Sequence, residues 1–301
     1  MKYPRRLTDG VSLLGNQYIS IYLIGQSSSY ILLEAGFSST ALEIRRQIES
    51  LRIDPKCIHK LLLTHAHADH VMGAGVLKRQ FPWLKIMAGI ETKQLLSKSK
   101  IQEIFVREDR YSSLRLLELG AVSEDAIKTG PLPFDIEELI SPGDIFDVDG
   151  SSLQVLDAPG HCKGGMAFWD PTKKILFCSD YLGFFIPPDR FVPNFYVDYE
   201  DFLKTFNYLS ELNPTWICPG HCGAYEGGDA LRFIELSRAE VDWVTEFIIS
   251  HCRSSENIEK VKKALLERYF VREATMFSLE STRYCIELLI RRVLECKGHR
   301  E

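Results

Sequence analysis

The chain of 301 residues has no block of one charge, no low-complexity stretch and no long hydrophobic run. Its 36 basic and 41 acidic residues leave a formal charge of −5, with the basic residues scattered. The electrostatic footprint of a general nucleic-acid binder is missing, so no nucleic-acid partner is expected. Apolar runs such as 18–24 and 30–33 fall far short of the roughly 18 residues of a spanning helix. The opening Met1-Lys-Tyr-Pro-Arg-Arg carries no apolar signal core. These absences predict a cytoplasmic protein with no membrane partner. With 45% apolar and 26% charged residues, disordered and fibrous classes are also excluded.

The eight cysteines form no C-x-x-C pair and show no regular spacing, which reads as reduced thiols rather than a disulfide frame. Cys57, Cys178, Cys252 and Cys285 sit in apolar surroundings and read as small core residues. Cys162 and Cys222 each follow a histidine of interest, but adjacency in sequence does not make a thiolate a ligand. A G-x-S-x-G elbow is absent, and Gly73-Ala-Gly75-x-x-Lys78 fails both the dinucleotide and the P-loop templates.

The remaining pattern is layered. A hairpin over 18–24 and 29–34 precedes a helix over 39–51, a strand over 59–64, a histidine-rich turn, a helix over 71–80 and a strand over 84–88. This βαβ alternation predicts an α/β fold. Residues 90–120 read as one or two inserted amphipathic helices. Strand signals resume at 138–140, 145–148, 153–156, 166–169 and 174–178, followed by an aromatic loop, a helix over 200–212 and a strand over 215–218. From 229 onward the chain reads as helix, with breaks near Ser254 and Arg272. The expectation is a two-sheet sandwich faced by helices, with a catalytic domain over 1–228 and a helical cap over 229–301.

The chemistry concentrates in Leu61-Leu-Leu-Thr-His65-Ala-His67-Ala-Asp69-His70. An apolar strand runs into three histidines and an aspartate, with small alanines leaving room for a metal to approach. Such a cluster is best satisfied by a divalent cation, and His/Asp donors suit zinc, iron or manganese. His161, Asp180 and His221 each lie just beyond another strand signal, and the two histidines follow Pro-Gly turns that aim an imidazole at a common point.

Together, His65-x-His67-x-Asp69-His70 and the later His161, Asp180 and His221 closely resemble the metallo-β-lactamase superfamily, over roughly residues 10–228. The resemblance implies an αββα sandwich and two divalent metal ions per chain, zinc foremost, with iron or manganese as alternatives. It places His65, His67 and His161 on the first metal and Asp69, His70 and His221 on the second. Asp180 bridges them. The implied activity is hydrolysis of a small-molecule ester or thioester by a metal-bound hydroxide, with Asp69 also catalytic, orienting the water or receiving its proton. Softer features, including the Glu34-Ala-Gly36 turn and Ser179-Asp180-Tyr-Leu-Gly183, resemble the quinolone-signal biosynthesis thioesterases. A diiron redox protein binding oxygen or nitric oxide, a glyoxalase II-like activity and a lactonase activity stand as alternatives on the same fold, as does a regulatory module that keeps its metals.

Residues 181–199 hold seven aromatics where a content of 11% would give two. Phe184, Phe185, Phe191, Phe195 and Tyr196 either line a substrate pocket or pack beneath the terminal helices. Tyr225 is a candidate oxyanion donor or a structural tyrosine. The insertion, the aromatic loop and the terminal helices are expected to cover the metals, leaving an apolar pocket for an acyl or aryl group. Apolar stripes on the terminal helices predict core or a homodimer surface. His59, His251 and His299 have no place in the motif.

Overall fold

Residues whose side chains are apolar on both faces of a strand can only be satisfied between two layers, and that arrangement organises this protein. The computed structural model describes residues 3–252 and 255–296. In chain order the first half contains β1 (Arg5–Thr8), β2 (Val11–Gly15), β3 (Ser20–Gln26), β4 (Ser29–Leu33), α1 (Ser38–Ser50), β5 (Ile58–Leu62), α2 (Ala68–Val71), α3 (Ala74–Gln80) and β6 (Lys85–Ala88). The helical insertion is α4 (Ile90–Leu96) and α5 (Ser99–Glu118), followed by α6 (Glu124–Thr129) and β7 (Glu138–Leu139).

The second half contains β8 (Ile145–Val148), β9 (Ser151–Asp157), β10 (Met166–Asp170), β11 (Ile175–Ser179), β12 (Phe184–Ile186), β13 (Arg190–Val192), α7 (Tyr199–Glu211), β14 (Trp216–Pro219) and β15 (Tyr225–Glu226). The chain ends in α8 (Gly228–His251), α9 (Ser255–Tyr269) and α10 (Leu279–Cys296).

Strands β1 to β7 form one sheet in sequential order, antiparallel through β4 and parallel beyond it. A second sheet runs β15-β14-β11-β10-β9-β8. Tyr22, Ile24, Ile31 and Leu33 of the first sheet meet Val155, Phe168, Ile175 and Phe177 of the second in the inter-sheet core. The alternate residues face outward: Ile21, Leu23 and Leu32 pack with Ile44 and Leu77 of α1 and α3, while Trp169, Leu176 and Cys178 pack with Phe202, Val244 and Leu289 of the later helices. The αββα expectation is met, and the period-two alternation shows why those runs are apolar throughout.

Local expectations needed adjustment. The sheet begins before residue 18, at β1 and β2. The helix expected over 71–80 is two pieces, broken at Met72-Gly73. The aromatic loop contains the β12–β13 hairpin. The break near Arg272 is present as a short turn over Arg272–Met276, whereas the one near Ser254, like His299, lies outside the described residues. His59 and His251 are exposed. Among the described residues no helix is long and apolar enough to cross a membrane.

Candidate metal centre

The singled-out residues lie just beyond strand ends or on the short helix that follows β5. His65 and His67 follow β5, Asp69 and His70 lie on α2, His161 follows β9, Asp180 follows β11 and His221 follows β14. Both Pro-Gly turns leave no room for a side chain, since a Cβ at Gly160 would lie 2.2 Å from Phe202 N. Gly160 turns at φ +104°, a conformation open to glycine. Gly220 is demanded by space, because a Cβ there would lie 2.6 Å from His70 Cε1 and 3.0 Å from Asp180 Oδ1.

Two sets of donor atoms converge. His65 Nε2 is 3.0 Å from His67 Nδ1 and 3.2 Å from His161 Nε2, and His67 Nδ1 is 3.1 Å from His161 Nε2. Zinc–nitrogen bonds of about 2.0 Å give a tetrahedral edge of about 3.3 Å, so this triangle has the size of one face of a four-coordinate site. In the second set Asp69 Oδ2 lies 3.2 Å from His221 Nε2 and 3.5 Å from His70 Nε2. Asp180 stands between the sets, with Oδ2 3.6 Å from His70 and 3.9 Å from His161, and Oδ1 3.5 Å from His221.

The buried His70 Nε2, His221 Nε2 and Asp180 Oδ1 have no hydrogen-bond partner among the described residues. Such orphans are costly in a folded interior. A cation would satisfy them together, so the donor set fits a divalent metal.

The far side of four of the five imidazoles is anchored. His161 Nδ1 is 2.7 Å from the Asn194 carbonyl, His221 Nδ1 is 3.0 Å from the Tyr18 carbonyl, and His65 Nδ1 is 2.9 Å from Thr64 Oγ1. His70 Nδ1 is 3.1 Å from Glu34 Oε1. That same oxygen accepts from Thr64 and Ser179, each at 2.7 Å. Partners of this type fix the tautomer and orient the ring. Asn194 acts twice, since its amide also donates to Asp180 Oδ2 at 3.3 Å while its Oδ1 accepts from Tyr196 at 2.9 Å. Sequence reading did not single out Glu34 or Asn194 as parts of the site; a carboxylate closing the apolar run Ile31-Leu-Leu was the available signal for the first.

Burial and neighbouring histidines keep the first set neutral: His65 and His67 are lowered, and His161 falls to about 3. In the second set burial would also lower His70, but Glu34, Asp69 and Asp180 outweigh it and raise the ring well above the usual range. Burial opposes ionisation of Asp180, yet His221, His70 and His161 hold its carboxyl at about 2. The first set thus offers neutral lone pairs, while Asp69 in the second set and Asp180 between the sets are held in their charged form. Cys162 lies close to His65 and His161, but burial pushes its thiol up to about 12, which keeps it protonated.

The family model for the metallo-beta-lactamase superfamily matches residues 14–221. The chain belongs to the metallo-beta-lactamase superfamily. A metallo-beta-lactamase family protein from Thermus thermophilus has the same fold, with a TM-score of 0.68 over 97% of this chain and 95% of its own at 18% identity. A Caenorhabditis elegans beta-lactamase-like protein 2 homolog is 22% identical over 72% of this chain and 62% of its own length. The hydroxyacylglutathione hydrolase of Ruegeria pomeroyi is 26% identical over 55% of this chain and 52% of its own. The match to these last two relatives spans 62% and 52% of their own length.

Beside the metal cluster lies a cavity of about 1010 Å³. His67, Asp69, His161 and Asp180 form one end; Ile101, Ile104 and Phe105 of α5 form one wall, and Cys285, Ile286 and Leu289 of α10 the other. Phe277, just before α10, closes it beside Phe184 at 5.7 Å and His221 at 6.0 Å between ring centres. Of the aromatic candidates, Phe184 and Tyr196 line this cavity.

Phe185, Phe191, Phe195 and Tyr225 are not among its lining residues; of the two readings open for them, the packing one matches their contacts. Phe185, Phe191 and Tyr225 pack around Phe233 of α8, Phe195 packs on Tyr199 and Phe202, and the Tyr225 hydroxyl is bonded to the Cys222 carbonyl. A helical extension offers aromatic rings a larger apolar surface than a cavity wall does, and burial favours it. Cys285, expected in the core, lines the cavity instead.

Proposed function

We propose that this chain is a dinuclear-metal hydrolase that cleaves a small thioester or ester with an apolar acyl or aryl group. The observation that carries the reading is the convergence of five imidazoles and two carboxylates at the end of an apolar cavity. His65, His67 and His161 would hold one ion, and Asp69, His70 and His221 the other, with Asp180 between them. When bound, such a pair supplies an activated water and a Lewis acid.

The residues supply the remainder. Asp69 is accessible from the cavity and held in its ionised form by His70 and His221 against the effect of burial, so its carboxylate orients the attacking water. Ile104, Phe105, Phe184 and Phe277 exclude bulk water from the reacting carbonyl, which strengthens every electrostatic contact there. Relatives named hydroxyacylglutathione hydrolase, including one from Haemophilus influenzae that is 31% identical over 46% of this chain, favour the thioester. Residues 229–301 act in this reading as a cap that completes the cavity.

The test is a hydrolysis screen of metal-loaded protein across thioesters, esters, lactones, phosphodiesters and β-lactams. Turnover of an aryl or alkyl thioester, abolished by a chelator and restored by zinc, iron or manganese, is the expected result. Activity confined to phosphodiesters or β-lactams contradicts it.

A further inference from the structure

Three polar residues, Arg107, Glu108 and Ser112, interrupt the apolar wall contributed by α5. Ile101, Ile104, Phe105 and Glu108 recur at helical spacing along its cavity-lining side. The Glu108 side chain is 16% exposed, so its carboxylate is largely withdrawn from water, where pairing matters more than at the surface.

Its pairing is incomplete. Oε2 accepts from Ser278 Oγ at 2.9 Å, and Ser278 in turn accepts from Ser281 N at 3.0 Å at the start of α10. Oε1 has only Arg107 at 3.8 Å, beyond hydrogen-bond reach. Arg107 is 60% exposed and shared with Glu280 at 3.7 Å. A carboxylate can accept about four hydrogen bonds, and among the described residues one is made. Cys285, Asp69 and Glu108 line the same cavity.

We propose that Glu108 forms a second polar subsite of the cavity and that the acyl group it selects carries an ammonium group away from the scissile carbonyl. The proposal rests on the hydrolase reading for the identity of the carbonyl end, while the subsite itself rests on the cavity. The carbonyl sits at the Asp69–Asp180 end, the apolar body lies between α5 and α10, and the ammonium donates to Glu108 Oε1. Three donors on a compact cation match an oxygen that accepts no hydrogen bond among the described residues and has Arg107 only at 3.8 Å. Glu108 also ties α5 to the start of α10 through Ser278, so the contact that builds the cavity and the group that reads the ligand belong to one residue.

Product-like ligands test this without turnover. Binding of ω-amino carboxylic acids of graded length, and of unsubstituted alkanoic acids of the same lengths, is measured by calorimetry on metal-loaded protein. At one length the amino acid should bind about tenfold more tightly than its alkanoic counterpart, the order of one charge pair. In Glu108→Gln, which keeps an acceptor for Ser278, that advantage should disappear while alkanoic acid binding persists.

The absence of any length at which the amino acid is favoured overturns the proposal, as does an advantage that survives Glu108→Gln. If Glu108→Gln binds neither series, Ser278→Ala decides: retention of the ammonium preference supports the subsite, and its loss overturns it. Failure of the hydrolase reading would appear separately, as binding without hydrolysis of any thioester or ester.

Discussion

Glu34 Oε1 lies 3.1 Å from His70 Nδ1, with both side chains buried. Because the same oxygen also receives Thr64, which touches His65, and Ser179, which precedes Asp180, one carboxylate braces donors from both halves of the cluster. Glu34→Gln keeps the shape and removes the charge. It should weaken metal binding by about 10–100-fold, the usual effect of losing such a partner. Competition with a chromophoric chelator measures this; unchanged affinity would show that Glu34 serves the fold alone.

Asn194 offers a sharper test of orientation, because its carbonyl serves His161 and its amide serves Asp180. Asn194→Asp preserves size and the backbone carbonyl but replaces an N–H donor with a second carboxylate facing Asp180. Metal affinity should fall by about tenfold or more, with little change in the melting temperature of the metal-free protein. Equal metal affinity in Asn194→Asp and the parent would remove Asn194 from the account.

The aromatic residues should divide by location. Phe184→Ala and Phe277→Ala are expected to shift the preference among acyl chain sizes by about 1–3 kcal/mol in kcat/KM. Phe191→Ala, deep beneath α8, should instead cost about 3–5 kcal/mol of stability and leave that preference unchanged. Denaturant unfolding and kinetics over one thioester series separate the two classes.

Asp109 of α5 accepts from Ser38 N at 2.7 Å and Ser38 Oγ at 2.6 Å at the start of α1. Burial raises its carboxyl from 3.8 to about 6 despite those bonds. The folded state therefore holds this proton more tightly than the unfolded chain does. Its contribution is fully present below about pH 4 and is lost as pH rises through 6, by about 3 kcal/mol at most. Asp109→Asn should gain on the parent as pH rises across that window, measured as the difference between their urea-unfolding free energies. A constant difference from pH 4 to 8 would contradict it.

The chemistry was legible because its residue types are rare in apolar surroundings: His65, His67, Asp69 and His70 interrupt a buried strand end, and His161, Asp180 and His221 recur beyond others. The layers were legible from runs such as 18–24, whose residues alternate between two cores. Strand β1 was missed because Arg5-Arg6-Leu7-Thr8 is polar and is held by pairing with β2 rather than by its own pattern. The fate of the aromatic loop was not legible, since Phe184 and Phe191 are the same residue type and only the placement of α8 and α10 sends one to the cavity and the other to the core. Asn194 carries no spacing signal, because its role comes from a loop brought alongside β11 and its ligand Asp180.

The central claim is a two-metal cluster built on Asp180, and elemental analysis of fully metallated protein tests it most directly. Two ions per chain are predicted for the parent, with Asp180→Ala losing the metal pair and thioester turnover together. A reproducible ceiling of one ion per chain in the parent, or full turnover by metal-free Asp180→Ala, would contradict it.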